Sequence, residues 1–225
     1  LLAGIHPHGS YEGRIFVDGH EAMFHSARDA ENAGIAVIHQ ELALFPDLTI
    51  AENLLLGNLP TRLGLVDWNA ALTRSRTLLA DVGLSLDPSL RVGDLGIGQQ
   101  QLIEIARALA RRPRILVLDE PTAALSRHEI DTLLALVQRL KAQGVACIYI
   151  SHKLDEVFAI ADRITVLRDG AAQGTLVARE TNAAAVIELM VGRPIEDLYP
   201  RRQRTPGEPV LAVQGLDAAR GPQFA

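Results

Sequence analysis

Cysteine is all but absent: Cys147 is the only one in 225 residues. One thiol builds neither a disulfide framework nor a cysteine metal cluster, so a reducing compartment fits. Lysine is nearly as scarce, with Lys141 and Lys153 the only two. Aromatic residues make up 4%, which leaves Leu, Ala, Ile and Val to supply most of the 48% hydrophobic content. That mix suits helices packed on an aliphatic parallel sheet. No run of about 18 apolar residues occurs that would read as a bilayer span, and no signal peptide is recognisable. The net charge of −5 is opposite to the basic excess of a nucleic-acid grip. The expectation is a cytosolic protein without a nucleic-acid partner, which a membrane partner can still recruit.

Both ends read as cut. Leu1 to Ile5 reads as the last turn of a helix closed by Gly4. Val210 to Val213 reads as a strand, and the sequence stops soon after it, at Ala225. Between them, Arg14 to Val17 and a strand resuming near Ala22 form a hairpin about Asp18-Gly19. A helix over Ser26 to Asn32 precedes a short buried strand, Ile35 to Ile38. The stretch from Glu41 to Pro60 reads as loop and short helix. Trp68 to Val82 is helical, with Leu72, Leu78 and Leu79 inward.

A second long helix starts near Gly98, its apolar face spaced i, i+3, i+4, i+7 over Leu102, Ile105, Ala106 and Leu109. The apolar strand Ile115 to Leu118 ends on Asp119 and Glu120. Ser126 and Glu129 form a capping box that opens the next helix. The buried strand Val145 to Ile150 runs into Ser151-His152. A short helix follows with Leu154, Val157 and Phe158 inward, then a hairpin about Asp169-Gly170 and a last helix over Asn182 to Val191. Strands alternating with helices predict a parallel α/β sheet, whose ligands bind beyond the carboxyl ends of the strands.

Three polar sites fall at those ends: Gln40, Asp119-Glu120 and His152. Two adjacent acids at a strand tip can hold a hydrated Mg²⁺ with one carboxylate and polarise water with the other. Acids at strand ends are also common as plain solvated residues. Imidazole can donate to a phosphate oxygen at neutral pH, and a carboxamide can ligate Mg²⁺ or orient water. Gly96 and Gly98 open a helix, where free backbone N–H groups and the helix dipole favour an anion. The bland reading of that stretch is an ordinary loop-to-helix junction.

The order Gln40, then Leu95 to Gln99, then Asp119-Glu120, then His152 resembles the ABC ATPase family at each step, over Leu1 to about Pro200. The resemblance implies an α/β fold with a parallel central sheet, a small antiparallel β part and a helical subdomain, its N-terminal strand and phosphate loop missing. It implies that Asp119 and Gln40 hold Mg²⁺, that Glu120 is base or polariser for the attacking water, and that His152 contacts the γ-phosphate of ATP. Gly96, Gly98 and Gln99 would serve the nucleotide of a second ATPase domain across a head-to-tail dimer. The family's usual signature is Leu-Ser-Gly-Gly-Gln; Gly96 and Ile97 replace its serine and first glycine, and Ser126 stands where the family often has aspartate.

His39 to Leu42, Leu48 to Asn53, Ser151 to Lys153 and Met190 to Arg193 resemble the ATPases of monosaccharide importers, and Pro7 to Gly13 looks most like the xylose-type members. The implied partners are membrane permease subunits, with a periplasmic sugar-binding protein engaged indirectly, at the cytoplasmic face of the membrane. The implied organisation is a first ATPase domain over 1–199, a linker over 200–209 and the start of a second ATPase domain over 210–225. No Gly-x-x-x-x-Gly-Lys-Ser/Thr stretch occurs, although a nucleoside triphosphate needs such a loop on its phosphates. The expectation is a fragment that binds ATP poorly by itself. The rival readings are a soluble ABC ATPase acting on ribosomes or DNA and a non-catalytic scaffold.

Overall fold

A computed structural model describes residues 1–40, 42–192 and 214. The expected linker and second-domain strand lie outside the described residues. Three parallel strands, β3 (Ile35–Ile38), β6 (Ile115–Asp119) and β7 (Ala146–Ile150), form the central sheet in the order β3-β6-β7. Two hairpins flank it in sequence: β1 (Ile15–Val17) with β2 (His20–Ala22), and β8 (Arg163–Arg168) with β9 (Ala171–Val177). A third hairpin, β4 (Thr61–Arg62) with β5 (Leu65–Val66), turns through Leu63 and Gly64, both at positive φ.

The period-two rule of a strand places the core on both faces of the sheet. Ile38, Leu116 and Leu118 point into the main core; Ile35 and Val117 point the other way, onto Phe24 and Ala30. Helix α1 (Ala27–Asn32) covers the second face. On the first, α2 (Ile50–Leu54), α3 (Trp68–Asp81) and α4 (Ile97–Leu109) pack on one another, and α4 also packs on β3. Helix α5 (Arg127–Ala142) lies against β7 and α6 (Leu154–Ile160), while α7 (Ala183–Val191) packs on the β8-β9 hairpin.

Local sequence explains where these helices start. Ser26, Thr49 and Ser126 each cap a helix in a reciprocal box with Asp29, Glu52 and Glu129, satisfying backbone donors that a helix leaves orphaned. The carboxyls of Glu52 and Glu129 are held below the usual range by those hydrogen bonds, and that of Asp29 first by the N–H of His25 and then by Ser26. Ser126 thus keeps the capping role that an aspartate would also perform. Gly4 sits at φ +68 with Ser26 O 2.3 Å from where a Cβ would stand, so the first turn can lie on α1 only because the residue is glycine.

Two expectations change. The buried face of α3 is Ala71, Ser75 and Leu79, and half-buried Leu78 also packs on the main core, whereas Leu72 does not, because the i, i+4 row that meets α2 and α4 runs through Leu79 and passes Leu72 by. Strand β7 was expected to be buried, yet Ala146, Ile148 and Ile150 are exposed. Its outer edge has no strand partner among the described residues. Beside it, a trough of about 820 Å³ runs between β7 and β8, lined by Ile148, Ile150, Val157, Ile164 and Val166.

Candidate functional site

The sheet register decides which residues share its carboxyl end. Ile38 is level with Leu118, and Asp119 is level with Ile150. Gln40 follows β3 by two positions, Glu120 follows β6 directly, and Ser151 and His152 follow β7, so all four leave the carboxyl end of the sheet. The carboxyl of Glu120 meets the ring of His152, Oε1 to Nδ1 at 3.1 Å. The Glu120 side chain is 32% exposed and that of His152 69%, so the pair faces solvent from the sheet edge.

The backbone is bent to make this contact. Glu120 sits at φ +46, a left-handed conformation that costs a non-glycine residue about 1 kcal/mol. Its N–H donates to Ile150 O at 3.0 Å, continuing the ladder one step past the strand. Pro121 disfavours the right-handed helical alternative at the residue before it. Strain of this kind, held in place by a ladder bond, is commonest where a side chain must be aimed.

Gln40 is exposed, and no hydrogen bond joins it to Glu120 or His152 among the described residues. Gly96 is the N-cap of α4, and its N–H is taken by Gln99 Oε1 at 3.3 Å. A Cβ on Gly98 would stand 2.4 Å from Glu129 Oε1, so the start of α4 abuts the capped start of α5 through a glycine. Gly96 is exposed, Gln99 half-buried and Gly98 buried against the start of α5, and no hydrogen bond joins them to Glu120 or His152 among the described residues.

Sequence reasoning did not find the support beneath Gln40. Glu104, 4% exposed, accepts the N–H of Ala43 at 3.3 Å. Arg107 donates to the carbonyl of the same residue at 2.8 Å. Two side chains of α4 thus pin the loop three residues past Gln40. Burial pushes the Glu104 carboxyl above its ordinary range, against the pull of the Ala43 N–H and Arg107, and its Oε2 has no hydrogen-bond partner among the described residues. A raised folded-state value means that the folded chain holds this proton more tightly than the unfolded one. Stability from this group is fully present below the unfolded value and is lost as pH rises through the folded one. Glu104→Gln is expected to raise the urea midpoint relative to the parent at pH 8 and to bring no such gain at pH 4. A lower midpoint at pH 8 would contradict the assignment.

Both lysines are committed elsewhere. Lys141 Nζ reaches Ile160 O at 3.0 Å and Asp162 at 2.7 Å. Lys153 Nζ reaches Thr122 O at 3.1 Å. No group of three or more His, Cys, Asp or Glu side chains forms a metal cage among the described residues. Asp119 and Glu120 still offer hard oxygen donors at an open edge. That donor set fits a cation that completes its shell with water and phosphate oxygens, as Mg²⁺ does.

Solved ATP-binding cassettes share this architecture. One is a dimer in a post-hydrolysis state bound to ADP and Pi, with TM-score 0.64 and 25% identity over 75% of this chain and 74% of that one. Another, nucleotide-free, gives TM-score 0.64 and 25% identity over 81% and 74%. The chain belongs to the ABC transporter family, whose model matches residues 1–123. It is 49% identical to the xylose import ATP-binding protein XylG of Moorella thermoacetica over 96% of this chain and 43% of that one. Against XylG of Escherichia coli K12 it is 50% identical over 97% and 42%. The chain thus spans less than half the length of these relatives. No helix among the described residues is long and apolar enough to cross a membrane.

Proposed function

We propose that this chain is part of an ATP-hydrolysing subunit that energises a monosaccharide importer, with a xylose-like sugar as cargo. The observation that carries the reading is the Glu120–His152 contact at the carboxyl end of a parallel sheet. Glu120 accepts a proton from, or polarises, the attacking water, and His152 donates to the γ-phosphate. Asp119 and Gln40 are the residues that would hold Mg²⁺, which offsets phosphate charge when bound. The start of α4, with Gly96, Gly98 and Gln99, serves the nucleotide of a second ATPase domain in a head-to-tail dimer. An extended segment from outside these 225 residues, ending on a phosphate-cradling loop, is the occupant we assign to the trough beside β7, which reaches the same sheet end at Ser151.

A permease subunit docks beside Gln40. Ala43, Phe45, Pro46 and Asp47 are exposed, while the loop backbone is held from beneath: Asn53 accepts the Phe45 N–H at 2.8 Å and donates to its carbonyl at 3.0 Å. A rigid loop that presents an aromatic side chain suits docking better than internal packing. The subunit would then work at the cytoplasmic face of the membrane, reaching a periplasmic sugar-binding protein only through the permease. The reading predicts co-purification of the native protein with membranes through a permease, and loss of that association on Phe45→Asp. Co-sedimentation with ribosomes in place of membranes would favour a soluble ABC ATPase.

A further inference from the structure

Next to the Glu120–His152 pair in the chain lies a polar cluster built on Glu156. Thr122, 2% exposed, stands two residues past Glu120. Its hydroxyl donates to Glu156 Oε2 at 2.8 Å. The Tyr149 hydroxyl donates to the same oxygen at 2.7 Å. The other carboxylate oxygen of Glu156 lies 3.4 Å from Lys153 Nζ, and that ammonium also reaches Thr122 O at 3.1 Å and Oγ1 at 3.2 Å. Lys153 is the residue after His152. Three side chains, those of Thr122, Tyr149 and Lys153, thus meet on the carboxylate of Glu156, which is 7% exposed.

The arrangement is specific in what it ties together. One arm ends in the loop that leaves Glu120, the other in the turn that carries His152. Without donors, burying an acid here would be strongly unfavourable; two hydroxyls and an ammonium satisfy it. Burial, then the hydrogen bond to Glu156, pushes the Tyr149 hydroxyl far above its ordinary range, so it remains a donor at any physiological pH. Partly satisfied buried networks are costly, which makes the cluster an all-or-none clasp.

We propose that Glu156 is a positioning residue that clasps the Thr122 loop to the His152 turn and so sets the Glu120–His152 contact. The proposal rests on the reading of Glu120 and His152 as the reacting pair, but its test does not depend on turnover. The 225-residue protein, labelled with ¹³C and ¹⁵N, is examined without nucleotide for the nuclear Overhauser contact between the His152 ring and the Glu120 side chain. Glu156→Ala is expected to reduce that cross-peak at least several-fold while the amide spectrum stays that of a folded protein. Glu156→Gln keeps an oxygen that can accept both hydroxyls, and it is expected to restore most of the intensity. Tyr149→Phe removes a single donor and is expected to weaken the peak even where Glu156→Ala fails to fold. An undiminished cross-peak in folded Glu156→Ala, or in Tyr149→Phe, overturns the proposal. A failure of ATP hydrolysis elsewhere would not touch this result.

Discussion

Glu120→Gln is expected to lower ATP turnover by about 10²- to 10⁴-fold, the range for loss of a positioned acid–base group. The assay uses a chimera in which the segment preceding the matched region of the Moorella XylG relative is joined to Leu1, since the 225 residues contain no phosphate loop. Glutamine keeps the size of the side chain and an oxygen that can accept from His152, so the fold and nucleotide affinity should change little. Only the carboxylate's ability to take up or share a proton is removed. A loss in kcat with KM nearly unchanged is therefore the expected pattern. The parent 225-residue chain without the added segment is expected to turn over almost no ATP. If that chain showed Mg²⁺-dependent turnover that Glu120→Gln removed, the assignment of phosphate binding to an outside segment would fail.

Leu118→Ala is expected to destabilise the protein by about 2–5 kcal/mol, the usual range for a large-to-small change in a packed core. Leu118 is fully buried on the central strand and precedes Asp119 directly. It lies between β3 and β7 in register with Ile38 and Tyr149. Three packed elements surround the side chain, so the site has little freedom to collapse into the space left. The effect should appear as a fall in the urea midpoint with an unchanged slope. Val117→Ala removes less volume from the opposite face of the same strand and is expected to cost about 1–3 kcal/mol. Equal losses at the two positions would argue that the main core is not centred on the first face of the sheet.

Much of the fold was legible because the strands are short, apolar and punctuated. Ile35–Ile38 and the hairpin of β8 and β9 appear at the expected places, and Ser126 caps the helix that the sequence pattern assigns to it. The adjacency of Glu120 and His152 was implied by strands that end on them, although the 3.1 Å contact needs the sheet register to be known. Other features are non-local. Glu156 sits in the first turn of α6, where an acid ordinarily reads as a solvated partner of the helix dipole. Its burial depends on Thr122, 34 positions earlier, and Tyr149, 7 positions earlier. Glu104 is likewise buried against a loop 61 positions away. Strands of two residues, as in β4 and β5, carry too few side chains to show alternation. The exposed face of β7 was hidden by an apolar run that reads as a buried strand.

The most direct test of the central claim is the crystal structure of the Glu120→Gln chimera with Mg²⁺ and ATP. The account predicts a γ-phosphate oxygen within hydrogen-bond distance of the His152 ring, with the metal held through Asp119 and Gln40 at the carboxyl end of β6 and β3. ATP bound at another face, with Asp119, residue 120 and His152 left in solvent, would contradict it.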